Sequence, residues 1–160
     1  MPVTTRIEGV RNEIAALAEA APTASDFMRG VCKLLHDRML KYNWVGFYML
    51  EPGAQPPVLV LEAFVGAMTP HTRIPLNQGI CGAAASSGKT VVVDDVSKDP
   101  RYLACSLETK SEIVVPIFVA KRVVGELDID SHFSAAFGPE DQELVQYCAE
   151  VVGKKLEKSR

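Results

Sequence analysis

The sequence predicts an α+β fold, a central antiparallel sheet covered by helices, on three observations. Apolar residues recur at helical spacing near both ends of the chain. Between them lie two pairs of short β-prone runs, each pair joined by a turn. The resulting order, α-α-β-β-(β)-α-β-loop-β-β-α, gathers helices at the ends of the chain and strands in its middle. The 160 residues, 48% of them hydrophobic, are one domain's worth of sequence and enough to bury a core. The expected domain therefore spans residues 1–160, with no repeat, linker or low-complexity segment.

The first helix rests on Ile7, Val10, Ile14, Leu17 and Ala21, which fall on one face, and Pro22 ends it. Thr23 or Ser25 is placed to cap a second helix, whose apolar side is Phe27, Met28, Val31, Leu34, Leu35 and Met39. NWVGFYML is short, aromatic and β-prone, EPGAQPP breaks it, and VLVLEAF follows, so the two runs read as a hairpin with a long loop. HTRIPL is a short extended piece. NQGICGAAASSGK carries helix formers from Ile80 to Ser87, with Gly88 where a helix C-terminus favours one. TVVVDDV is a strand, with Asp94 and Asp95 as loop or capping residues after it. SKDPRYLACSLETK is a loop with one helical turn at most. SEIVVPIFVA and RVVGELDIDS form a second hairpin about Lys121. Pro139 opens a last helix with Leu144, Val145, Cys148, Val151, Val152 and Leu156 on one stripe.

Composition excludes several classes. A net charge of −3 without a basic run argues against a nucleic-acid surface. The longest apolar run, IVVPIFVA, is too short to span a bilayer, and the first residues lack a signal-peptide core. A cytoplasmic protein is expected, and in that compartment four cysteines are more readily redox-active than a disulfide framework. The three histidines and four cysteines show no metal-ligand spacing, so no metal and no bound cofactor are expected.

Candidate chemistry concentrates in the second half. On a strand, Glu126, Asp128 and Asp130 share one face and Leu127 and Ile129 the other. That row is either a wet outer face or a carboxylate floor suited to an ammonium. Glu112 opens the strand SEIVVPI. From its position alone it reads as an exposed residue at a strand entrance; buried, its pKa would rise and it could donate a proton. Cys81 lies near a helix start, where backbone N–H groups and the helix dipole favour a thiolate or a bound anion; the other reading is packing. Cys105 sits in a polar loop near Arg101 and Lys110, surroundings that lower a thiol pKa. Cys32 and Cys148 fall on apolar stripes and read as core. Trp44 and Tyr48 share a strand face, as core or as the wall of a small-molecule pocket.

Taken together and in this order, NWVGFY, RIPLNQGICG, ACSLETKSEIVVPI and VVGELDIDS resemble a GAF domain and, more narrowly, the free methionine-R-sulfoxide reductases. The resemblance runs from about Ala15 to Leu156 and is most specific from Arg73 to Ser131. It implies a homodimeric GAF fold with the N- and C-terminal helices packed together and a pocket under the cysteine-bearing loops. It further implies reduction of the R-sulfoxide of free methionine, with thioredoxin as reductant. Carried onto this chain, Cys105 matches the family's essential cysteine, and Cys81 a second functional one. Glu112, Asp128 and Asp130 match substrate-binding carboxylates, with Glu112 also the leading acid candidate. Trp44 and Tyr48 match the pocket wall around the methyl-sulfoxide end. One departure stands out: His71 occupies the place, two residues before RIP, where the family usually has a third cysteine. Either Cys81 takes over as resolving thiol, or thioredoxin or glutathione attacks the sulfenic acid directly. The rival expectation is a non-enzymatic GAF module that senses a small molecule. The absence of an NKFDE-type motif, and of an expected output domain after the last helix, weighs against it.

Overall fold

The computed structural model describes residues 3–103 and 107–159. Among the described residues there are four α-helices and six strands, in the order α1 (Val3–Ala20), α2 (Ala24–Arg38), β1 (Trp44–Leu50), β2 (Val58–Val65), β3 (Arg73–Pro75), α3 (Gly79–Ser87), β4 (Val91–Val93), β5 (Ser111–Val119), β6 (Arg122–Ser131) and α4 (Pro139–Lys158). All strand pairings are antiparallel, and the sheet order is β3-β2-β1-β6-β5-β4. The two predicted hairpins are thus present, and the pairing of β1 with β6 fuses them into one sheet.

Local chemistry fixes the element ends. Thr23 caps α2 by accepting from the Asp26 N–H at 3.0 Å. Gly88 ends α3 in the left-handed conformation, φ 68°. Asp95 accepts from the Ser97 N–H at 3.0 Å and starts a single 3-10 turn over Val96–Lys98, which fits the expected capping role. The strand expected from TVVVDDV is only three residues long because this turn begins there. The β5–β6 connection puts both Ala120 (φ 51°) and Lys121 (φ 66°) in the positive-φ region, as the right-handed twist of a two-residue hairpin demands.

The sheet separates two apolar layers. On one face Val45, Phe47, Ile113, Val115, Ile117, Leu127 and Ile129 meet residues of α1, α2 and α4, among them Ile14, Phe27, Val31, Leu144 and Val152. Cys32 and Cys148 are fully buried in this layer, and desolvation pushes both thiols up to about 12, so the core reading of both is correct. On the other face Trp44, Tyr48, Leu59 and Val114 meet Ile74 and the α3 residues Ile80, Cys81 and Ala84. The outward faces of the strands are therefore covered as well.

Close approach of α4 to β5 depends on Gly153. A Cβ built there falls 2.5 Å from the Phe118 carbonyl oxygen. Alanine would gain about 1 kcal/mol of helix propensity, but its clash is with backbone, which cannot swing aside. Gly153→Ala should therefore lower the unfolding free energy by about 1–3 kcal/mol net, measured as a shifted denaturation midpoint at unchanged slope.

Candidate functional site

Antiparallel register assembles the site from three strands. On the α3-facing side, Trp44 pairs with Asp130, Gly46 with Asp128 and Tyr48 with Glu126. On the other flank of β6, Glu112 pairs with Asp130, Val114 with Asp128 and Pro116 with Glu126. Four carboxyl groups from two neighbouring strands consequently share one face, with Glu112 directly opposite Asp130. All are buried: Glu112 is 5% exposed, Glu126 0%, Asp128 2% and Asp130 3%.

Burial decides between the two readings of the β6 row and of Glu112. The β6 row is not a wet face, because α3 covers it. Glu112 is not an exposed entrance residue, because it lies under the same cover, beside Cys81. Burial raises the proton affinity of every member. Glu112 is pushed well above the usual carboxylate range by desolvation and then by the charges of Asp128 and Asp130. Glu126 and Asp130 are likewise held well up, and Asp128 is raised, in each case by desolvation first. Among the described residues, Asp128 Oδ1, Asp130 Oδ1 and both Glu126 oxygens have no hydrogen-bond partner.

Cys81 is 5% exposed and its thiol donates to Asp128 Oδ2 at 3.4 Å. Of the readings that its place at the helix start leaves open, the thiolate is not favoured. Desolvation, then the negative charges of Asp128, Glu126 and Glu112, push the thiol well up. A helix dipole contributes only about 0.3–2 kcal/mol, too little to reverse that combination. The Gln78 side chain does not cap the first turn of α3.

Trp44 and Tyr48 share the face as expected and are both buried, stacked 6.2 Å apart at 28°. Trp44 leans over Gly46, where a Cβ would fall 2.3 Å from its ring. A glycine inside a strand is the one sequence signal for this close approach. Trp44 Nε1 donates to the Ala67 carbonyl at 3.0 Å and Tyr48 Oη to the His71 carbonyl at 2.6 Å, so the two aromatics hold the β2–β3 loop over the sheet.

The predicted residues divide between two adjoining cavities. One, of about 90 Å³, is lined by Asn43, Trp44, Met68, Glu108, Thr109 and Asp130 among others. The second, of about 20 Å³, is lined by Tyr48, His71, Cys81, Leu103, Glu112 and Asp128 among others. His71 therefore shares a cavity with Cys81. Cys105, the predicted nucleophile, lies outside the described residues; Leu103 before it and Glu108 and Thr109 after it each border one of the cavities. Glu126 was visible as part of the acidic row, but its place beside Cys81 was not, because the contact depends on how α3 packs.

The acidic row shapes stability. A buried acid whose folded pKa is raised binds its proton more tightly folded than unfolded. Its protonated form stabilises fully below the unfolded pKa, and that contribution is lost as pH rises through the folded pKa. The protein should thus lose stability from the ordinary carboxylate range upward. Glu126→Leu, which removes two unsatisfied buried oxygens, should raise the unfolding free energy by about 1–3 kcal/mol. The gain should be larger at alkaline than at mildly acidic pH, as read from denaturant curves at both.

An antiparallel six-strand sheet with terminal helices on one face, and a small acidic pocket under α3 on the other, defines a GAF domain. The chain belongs to that family, whose pattern matches residues 24–156. Within it, the chain belongs with the free methionine-R-sulfoxide reductases. It is 40% identical to the type II free methionine-R-sulfoxide reductase of Thermoplasma acidophilum, with 89% of this chain and 96% of that one covered and a TM-score of 0.78. It is 34% identical to the Neisseria meningitidis enzyme solved in complex with its substrate, covering 96% and 90% with a TM-score of 0.89. The Escherichia coli free methionine-R-sulfoxide reductase is 37% identical over 110 residues, 69% of this chain and 64% of that protein. Among the described residues no helix is long and apolar enough to cross a membrane.

Proposed function

We propose that this protein reduces free L-methionine-R-sulfoxide to methionine, working as one domain over residues 1–160, as a cytoplasmic homodimer and without a bound cofactor. The observation that carries the reading is the joining of Cys81, Glu112 and Asp128 at one buried cavity beneath Tyr48. A redox pocket for a small zwitterion needs those elements together: a thiol, an acid that keeps its proton, and carboxylates for an ammonium.

Cys105 attacks the sulfoxide sulfur as a thiolate. The attack joins the two sulfurs as the S–O bond breaks and the protonated oxygen leaves as hydroxide; that hydroxide adds to Cys105 Sγ, the bond between the sulfurs breaks, methionine leaves, and Cys105 is left as a sulfenic acid. Glu112, protonated in its buried setting, donates to the sulfoxide oxygen as the bond weakens. Asp128 and Asp130 bind the substrate, and the ammonium is the cationic group such carboxylates suit. The first turn of α3, at Gly79–Gly82, suits the substrate carboxylate. Trp44 and Tyr48 wall the methyl-sulfoxide end. Cys81 then condenses with the sulfenic acid, forming a disulfide and releasing water, and a thioredoxin dithiol returns both cysteines to thiols.

A thioredoxin-coupled assay tests this. Free L-methionine-R-sulfoxide should be consumed and the S-epimer spared. Absence of any methionine from the R-epimer, even in a single turnover, would favour a small-molecule-binding sensor instead.

A further inference from the structure

Cys81, Glu112 and Asp128 come from α3, β5 and β6, so no spacing in the sequence could have announced them as a set. Yet one donor atom from each lies within 4.8 Å of the others. Ligands at Zn–S and Zn–O distances of about 2.3 and 2.0–2.2 Å sit about 3–4 Å from one another around a tetrahedral ion, a spacing that Cys81 Sγ and Asp128 Oδ2 already have at 3.4 Å and that the widest pair reaches by drawing in about 1 Å. Their cavity holds about 20 Å³. A single water needs about 10–15 Å³, so there is room for one small ion. Asp128, 2% exposed, lines this cavity, and its Oδ1 has no hydrogen-bond partner among the described residues. Beside Cys81 lies Glu126, whose two buried oxygens are equally unsatisfied.

We propose that this cavity is a binding site for a thiophilic divalent cation of the zinc class, held by Cys81 Sγ and one oxygen each from Glu112 and Asp128. Metal binding converts the thiol to thiolate and releases its proton together with those held by the carboxyl groups. The dication replaces them as the charge that makes the row tolerable. One sulfur and two carboxylate oxygens suit zinc and its tetrahedral relatives. Calcium and magnesium, which take about six or more oxygen ligands, are excluded by both size and donor type. His71 borders the same cavity and brings a nitrogen donor into the neighbourhood. A cation seated here occupies donors the substrate needs. On the reductase reading above, zinc therefore inhibits in competition with methionine sulfoxide, and a chelator restores turnover.

The test is an anaerobic cobalt(II) titration of the Cys105→Ser variant. There the remaining thiols besides Cys81 are Cys32 and Cys148, both sealed in the apolar core. The expected result is a thiolate-to-cobalt charge-transfer absorption with tetrahedral visible bands. It should saturate stoichiometrically, be displaced by zinc and be absent in Cys81→Ser on the same background. Asp128→Asn and Glu112→Gln should each weaken cobalt binding about tenfold or more, in line with loss of a ligand. No thiolate band, or a band that survives Cys81→Ser, overturns the site. If the Cys81 variant does not fold, unchanged affinity in both carboxylate variants overturns it. The titration requires no turnover. A cobalt band in a protein that never yields methionine would sink the reductase reading and leave the cation site standing. Turnover without a band would do the reverse.

Discussion

Cys105→Ser should release no methionine at all from free methionine-R-sulfoxide, whereas Cys81→Ser should release about one equivalent per chain and then stall with thioredoxin. The asymmetry follows from where Cys81 sits. Its thiol is buried, donates to Asp128 and is flanked by Glu126 and Glu112, all of which hold it protonated. Such a sulfur is a poor first nucleophile. It suits a second step, in which the electrophile is a sulfenic acid delivered to it and only one proton must be passed to a neighbouring carboxylate. Cys105 has polar neighbours and nearby cations in sequence, the setting in which a thiol ionises. Rapid quench with methionine quantification separates the two steps. A full burst in Cys105→Ser would end the assignment, and multiple turnovers in Cys81→Ser would hand resolution to the external reductant. Mass spectrometry of the wild type after one turnover should find Cys81 and Cys105 joined.

Glu112→Gln should lower kcat by about 10²- to 10⁴-fold, the usual worth of a positioned general acid, without lowering stability. Glu112 is the member of the row whose pKa is raised by burial and by two neighbouring carboxylates at once. In the resting enzyme it therefore carries the proton the departing oxygen requires. The sign of the pH effect is fixed by this. The wild-type rate should fall as pH rises through the folded pKa of Glu112, because the acid form is the active one. Glutamine cannot release that proton, so the variant should show a low rate lacking this alkaline limb. Because the change removes an acid that strains the folded state above the ordinary carboxylate range, the variant should melt no lower than the wild type near neutral pH. A variant that lost activity and stability together would point to a structural role for the carboxyl.

The sequence carried the fold well because each strand and helix is marked locally. The α2 cap, which the sequence leaves between Thr23 and Ser25 and the structure puts at Thr23, the glycine stop at Gly88 and the Pro139 start of α4 are all short-range signals. The site was legible as a set of residues but not as an environment. Alternation along β6 put Glu126, Asp128 and Asp130 on one face, yet alternation says nothing of what covers that face. Only the seating of α3 turns a plausible surface row into buried acids. The same packing decides against the thiolate reading of Cys81, since the helix-start effect is local and weak while desolvation is tertiary and strong. The position of Glu112 alone favours a wet strand entrance, because a strand's first residues are usually exposed; the motif resemblance points to the site instead, and the register places the residue opposite Asp130. Gly46 went unread because a glycine in a strand names no partner until the Trp44 ring is seen across it.

The sheet order has a consequence for behaviour at high concentration. Its outermost strands among the described residues, β3 and β4, are three residues each, and β3 ends in Pro75. Beyond them the margins pass to β2 and β5, since β3 pairs only with Val58–Val60 and β4 only with Glu112–Val114, and on the β5 side Pro116 has no N–H to offer a foreign chain. The central strands β1 and β6 are paired along both sides and offer no edge. Strand addition is thereby confined to the margins, and recruitment of β1 or β6 into an aggregate should require unfolding first.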